Sequence, residues 1–254
     1  MLPNLVTLAS VFCGISSIRI VATGNRGDSD LQRAAVLLLF AMVFDLLDGR
    51  VARMTRTQSA FGLQLDSLAD VISFGVAPAL LMYKWTLFRL PVVGFLAAFL
   101  FVACGAVRLA RFNVLSTMAT GHPAKPGKYI VGLPIPTAAG VLISLVLAAL
   151  ASDNAVAGQR YAEVLFGLTI GVSLLMVSAI PFRSFKELTL NKRTVALLLF
   201  ATTGSVLVWS CWRIEYVLVW LLFLYIATGL VDAIRLVMTR QRKLPKRESI
   251  PPLP

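Results

Sequence analysis

The feature that most constrains this chain is its rhythm of apolar runs. Stretches of about twenty residues, nearly free of charge, recur from end to end and are separated by short polar segments. A run of roughly 20 apolar residues spans the hydrocarbon layer as a helix, the one local structure that satisfies its own backbone polar groups there. The runs fall at about 4–22, 34 into the region of Asp45, 62–83, 92–112, 132 to just before Ser152, 162–180, 194–211 and 216–238. They predict an all-α fold, a polytopic membrane helix bundle of about eight transmembrane helices. Composition excludes the soluble alternative: with 58% hydrophobic and 14% charged residues, no single water-facing core could use this much apolar sequence.

One domain over residues 1–238 is expected, followed by a basic, proline-rich tail over 239–254 suited to touching anionic membrane lipids or to fixing topology. The opening MLPNLVTLASVF has no basic n-region and no small-residue cleavage site, so the first run is expected to be a retained helix. Cys13, Cys104 and Cys211 all sit inside apolar runs, and their odd number argues against a disulfide framework. The net charge of +12 does not point to nucleic acid, because the basic residues lie singly or in small groups between the runs. Orientation in a bilayer explains them. Eight spans put both termini on one side, and 17 of the 24 Lys and Arg residues fall on that side, among them Arg50, Arg53, Arg56, Arg108 and Arg111. By the positive-inside rule both termini are expected to be cytoplasmic.

Against this background the stretch from Asp45 to Asp70 is an anomaly. Of twelve acidic residues in the chain, four fall within these twenty-six positions: Asp45, Asp48, Asp66 and Asp70. On helices, spacings of three and four put each pair on one face, and two such faces turned together make a four-carboxylate cluster. Ionised groups near a membrane interior are costly and mark function, and four close carboxylates repel one another unless cations neutralise them. All-oxygen ligation with no His or Cys nearby suits Mg²⁺ or Mn²⁺, and two such ions about 4 Å apart would clamp a phosphate or pyrophosphate. Gly49 and Gly62 remove side chains beside the carboxylates, Arg53 offers a planar donor for phosphate oxygens, and Ser59 adds a hydroxyl. The plainer alternative pairs the aspartates with Arg50, Arg53 and Arg56 at helix ends, but simple pairing predicts no particular register of glycine and aspartate.

That register, Asp45, Asp48-Gly49, Ala52-Arg53, Gly62, Asp66, Asp70, resembles the signature DxxDGxxARx8GxxxDxxxD of the CDP-alcohol phosphatidyltransferase family, and every specified position matches. The resemblance implies a six-helix core with two further helices at the C-terminal end. It implies that a CDP-linked lipid is cut at its pyrophosphate, an alcohol takes the phosphatidyl group and CMP leaves. It assigns Asp45, Asp48 and Asp66 as metal ligands, with Asp70 as both a ligand and the general base. It gives Gly49, Arg53, Ser59 and Gly62, with Asn4 and Thr7 of the first span, as contacts to the CDP moiety, and it implies a homodimer in the cell membrane of a bacterium or archaeon.

The motif says little about the acceptor. LDSLADVISFGVAPA, RLARFN and GLPIPTAAG together resemble the phosphatidylserine synthase branch of that family, whereas glycerophosphate-using relatives usually read DPxADK where this chain has Asp66-Ser67 and Asp70-Val71. CDP-diacylglycerol and L-serine are therefore the expected substrates, with glycerol 3-phosphate or an inositol as the alternative acceptor. Arg108 and Arg111 are candidates to hold the serine carboxylate and Asn113 to meet its amine; equally, the arginines suit positive-inside anchors. His122, the sole histidine, reads as a loop residue, and Lys125 and Lys128 beside it suit a phosphate-bearing acceptor. A cation transporter, with the aspartates binding the transported ion, is the alternative of another class.

Overall fold

The structure, a computed structural model, describes residues 2–24, 27–55, 59–118, 129–151, 159–183, 192–211 and 215–242. Eight helices make up nearly all of it: Leu2–Thr23, Asp28–Met54, Ala60–Trp85, Pro91–Met118, Ile135–Ala151, Gln159–Val177, Lys192–Cys211 and Glu215–Arg242. Among the described residues, Pro3–Thr23, Ala60–Trp85 and Pro91–Val114 are long and apolar enough to cross a membrane by length and composition alone, and four shorter apolar helices join them. Large apolar side chains face outward, with Phe12, Phe40, Phe99 and Phe223 all more than half exposed. Water would penalise that surface and lipid does not. The chain is an all-α integral membrane protein, as its apolar rhythm predicts.

Small residues let the helices approach closely. In the second helix Ala34, Ala35, Leu38 and Ala41 are fully buried on one stripe, and the Ser17 hydroxyl of the first helix donates to the Ala34 carbonyl at 3.0 Å. Between the first and third helices the Ser73 hydroxyl donates to the Ser10 carbonyl at 3.2 Å, and a Cβ on Gly14 would come within 2.8 Å of Ser73 Oγ.

The third helix is one element with a single wide turn. Val71–Val76 is π-helical, closing with the Ala77 amide donating to the Ile72 carbonyl. Pro78 follows at once, and a proline that lacks an amide hydrogen and crowds the preceding turn is a physical reason for the ladder to loosen there. The wide turn lies directly after Asp70.

Two short strands, Tyr129–Val131 and Pro181–Arg183, pair antiparallel with Ile130 opposite Phe182. Hydropathy alone predicts helix from about 132 and up to 180, and the backbone hydrogen bonds explain the difference. The Gly132 amide donates to the Ile180 carbonyl at 2.9 Å and the Leu133 amide to the Leu175 carbonyl at 3.0 Å, so the fifth helix starts only at Ile135, with Pro134 ahead of it. Gly132 itself has φ +82°, and a Cβ there would fall on the Met176 carbonyl oxygen. Glycine is required on both counts.

The eighth helix packs along the fifth and extends to Arg242, four residues beyond the expected end of the domain, and the seventh lies against the eighth. The rest of the tail, from 243, lies outside the described residues.

Candidate active site

The buried stripe of the second helix carries the first two aspartates inward. Leu31, Ala34, Leu38 and Ala41 advance by three or four residues, and the same steps lead to Asp45 and Asp48. The face that packs the bundle therefore turns from alanine to carboxylate near its end. The other two aspartates come from the start of the third helix, which Ser59 begins: its hydroxyl accepts from the Gly62 amide at 3.0 Å, an N-cap that ends the connection from the second helix.

The two elements meet at their aspartates. One carboxylate oxygen each from Asp45, Asp48 and Asp66 lies within 4.8 Å of the others. Asp70 is buried beside them, within hydrogen-bonding reach of Asp45 and in the field of Asp66. Asp48 is also buried, with the Thr7 hydroxyl and the Gly49 amide at its carboxylate. Oδ2 of Asp48 and Oδ1 of Asp70 are buried and, among the described residues, have no hydrogen-bond partner. Oxygen atoms withdrawn from water and left unpaired, beside two more carboxylates, fit a hard divalent cation in both donor type and charge. Asp45, Asp48 and Asp66 could hold one such ion in common, and Asp70 offers a further ligand.

On one side of the carboxylates, the first helix covers the start of the third. A Cβ on Gly62 would lie 3.2 Å from Ser59 Oγ and 3.6 Å from Asn4 Oδ1, so a side chain at 62 would fill the space between them. Asn4 thus lies over Ser59 and Gly62, while Thr7 and Gly49 meet at Asp48. Ser59 has a structural duty as well, since its lone pair caps the helix. Arg53 follows Gly49 by one helical turn, and its side chain lies outside the described set.

On the other side stands the fourth helix. Asn113 is buried, donating through Nδ2 to Ser67 Oγ at 2.9 Å and to Gln64 Oε1 at 3.1 Å. It therefore clips the fourth helix to the turn of the third helix around Asp66. Arg108, five residues earlier, is half-buried and faces Asp70. Arg111 is exposed and does not join the cluster. His122, Lys125 and Lys128 lie outside the described residues. Sequence reasoning missed Gln64 and gave Ser67 no role at the site. Their places, two residues before Asp66 and one after it, were the available signal.

The family model for CDP-alcohol phosphatidyltransferases matches residues 1–182, which hold every one of these groups. The chain belongs to the CDP-alcohol phosphatidyltransferase family. It is thus an enzyme of phosphoryl-group transfer, and the transporter alternative gives way. Similar proteins include a CDP-diacylglycerol–serine O-phosphatidyltransferase of Helicobacter pylori, 37% identical over 198 residues that cover 78% of each chain. The protein of that name in Bacillus subtilis is 32% identical over 73% of this chain and 92% of its own. An archaetidylserine synthase of Methanothermobacter thermautotrophicus is 40% identical over 71% of this chain and 69% of its own. Within the family, the six helices up to Val177 and the strand pair form the matched part, and the last two helices lie beyond it.

Proposed function

We propose that the protein transfers the phosphatidyl group of CDP-diacylglycerol to L-serine, giving phosphatidylserine and CMP. The observation that carries the reading is the cluster itself: four aspartates from two helices, with small and polar residues beside them on the first and third helices and a half-buried arginine and a buried asparagine on the fourth. The relatives named for serine products differ in the lipid half of those names, which supports serine as the shared acceptor.

In this reading Asn4, Thr7, Gly49, Arg53, Ser59 and Gly62 receive the CDP moiety, with Arg53 donating to phosphate oxygens. Asp45, Asp48, Asp66 and Asp70 hold two divalent ions, Mg²⁺ or Mn²⁺, which when bound spread the charge of the pyrophosphate and of departing CMP. Asp70 accepts the proton of the serine hydroxyl as that oxygen bonds to the lipid-linked phosphorus, and the pyrophosphate bridge breaks with its electron pair going to CMP. Arg108 holds the serine carboxylate next to this base, Asn113 steadies the amine side, and Arg111 serves as an interfacial anchor. The site lies at the cytoplasmic ends of the helices, where soluble serine and bilayer-held lipid can both reach it, and the protein works as a homodimer.

The test is CMP release by purified full-length protein given CDP-diacylglycerol, Mg²⁺ or Mn²⁺ and one alcohol at a time. Release with serine alone is expected. Release with glycerol 3-phosphate or inositol and none with serine would remove the acceptor assignment.

A further inference from the structure

Two of the four aspartates lie in a part of the third helix that apolar packing does not fix. Of the eleven residues Ala60–Asp70, the buried ones are Ser67, Ala69 and Asp70, two small side chains and a carboxylate. Phe61 and Leu68 are exposed. Directly after Asp70 comes the wide turn Val71–Val76, which interrupts the α-helical ladder that would carry the rotation of the rest of the helix back to Asp66.

What grips this segment is polar. The fourth helix packs against it, and from there Asn113 Nδ2 donates to Ser67 Oγ at 2.9 Å and to Gln64 Oε1 at 3.1 Å. The Ser67 hydroxyl has the Leu63 carbonyl of its own helix at 3.1 Å and Asn113 Oδ1 at 3.2 Å. Asn113 and Ser67 are both buried, where a polar group that loses its partner costs about 1–3 kcal/mol. Gln64 and Ser67 lie one turn apart on one face, and two grips at successive turns fix the rotation of a helix as well as its height.

Asp66 and Asp70 share a face about a third of a turn around the same helix, so that rotation decides where their carboxylates stand. A group about 5–6 Å from the helix axis moves about 2 Å when the helix turns by about 20°. That is about the length of a Mg²⁺–oxygen bond. Repulsion drives the same movement: the oxygens of Asp45, Asp48 and Asp66, within 4.8 Å of one another, push the second and third helices apart when no cation stands between them.

We propose that Asn113, gripping Ser67 and Gln64, is a positioning residue for the divalent ion, holding the third helix at the rotation where Asp66 meets Asp45 and Asp48. The inference rests on the reading of the cluster as an ion site. It gives Gln64 and Ser67 a task in metal binding although neither is a ligand.

Mn²⁺ binding by the purified full-length protein, followed by the electron paramagnetic resonance signal of the free ion, tests this. No substrate is present, so a contact of Asn113 with an acceptor does not enter. Asn113→Ala is expected to raise the Mn²⁺ Kd roughly tenfold, the lower end of what removing a group that supports metal ligands costs. Gln64→Ala removes one grip at an exposed position and should raise it about threefold, one neutral hydrogen bond. Added to Asn113→Ala it should raise the Kd no further, because Gln64 acts through Asn113. Ser17→Ala, which removes the buried bond to the Ala34 carbonyl between the first and second helices, should lower the unfolding midpoint in EDTA and leave the Mn²⁺ Kd unchanged. An unchanged Kd in Asn113→Ala overturns the proposal; should that variant not fold, an unchanged Kd in Gln64→Ala does so. A Kd raised as far by Ser17→Ala also overturns it, since that marks general loosening of the bundle. A wild type that binds no Mn²⁺ overturns the ion reading and the proposal with it.

Discussion

Replacing Asp48 by asparagine sets a stability change of one sign against another. Carboxylate oxygens of Asp45, Asp48 and Asp66 stand within 4.8 Å of one another. At that separation two unit charges repel by about 3.5 kcal/mol at an effective dielectric of ~20. Three ionised pairs give about 10 kcal/mol, on the order of the whole stability of a folded domain. A shared divalent ion reverses the sign of this field, so the same three groups strain the metal-free protein and stabilise the metal-bound one. The Asp48→Asn change would remove two of the three pairs, about 7 kcal/mol of gross repulsion; if a quarter survives solvent and side-chain rearrangement, about 1.5–2 kcal/mol remains. For a chain of this size that is about 3–8 °C in the unfolding midpoint. Tryptophan fluorescence of the detergent-solubilised protein can follow unfolding in EDTA and in excess Mg²⁺ or Mn²⁺. In EDTA the variant should melt above the wild type. With metal at about a hundred times its Kd the wild type should gain about 2.7 kcal/mol and overtake the variant, which has lost a ligand. A variant that melts below the wild type in EDTA, or a wild type indifferent to EDTA, would refute both the repulsion and the shared ion.

Two other outcomes are expected. Asp70→Asn keeps the shape of the side chain and removes the proton acceptor, so turnover should fall by about 10²–10⁴-fold while CDP-lipid binding, measured without serine, changes little; undiminished turnover would take Asp70 out of the base role. Gly132→Ala forces a Cβ onto the Met176 carbonyl at a left-handed backbone position, and a loss of at least about 1–2 kcal/mol should appear as a lower melting midpoint, whereas an unchanged midpoint would mean that the tie between the fifth and sixth helices gives way without cost.

The aspartate pairs were readable because helical spacing is a local property: Asp45 and Asp48, or Asp66 and Asp70, share a face whatever the rest of the chain does. Gly62 was readable in the same way, as a missing side chain in a fixed place. The start of the fifth helix was not. Residues 132–134 are as apolar as the helix that follows, and what stops them is a pair of hydrogen bonds to carbonyls more than forty residues away, at Leu175 and Ile180. Arg108 and Arg111 look alike in sequence, three residues apart on one helix, yet one faces Asp70 and the other is exposed. The direction in which each points depends on which neighbour the helix meets.

The sequence by itself determined the class of the fold and the composition of the carboxylate cluster: apolar length demands membrane helices, and aspartates at spacings of three and four place carboxylates suited to a divalent ion on shared helix faces. Both follow from periodicity and transfer energetics, which act within a few turns of chain. Tertiary structure alone decided the rest of the site. It set Thr7 against Asp48 and Asn4 over Gly62 and clipped Asn113 to Ser67 and Gln64. These contacts join residues of different helices, and only the packing of the bundle determines which faces meet.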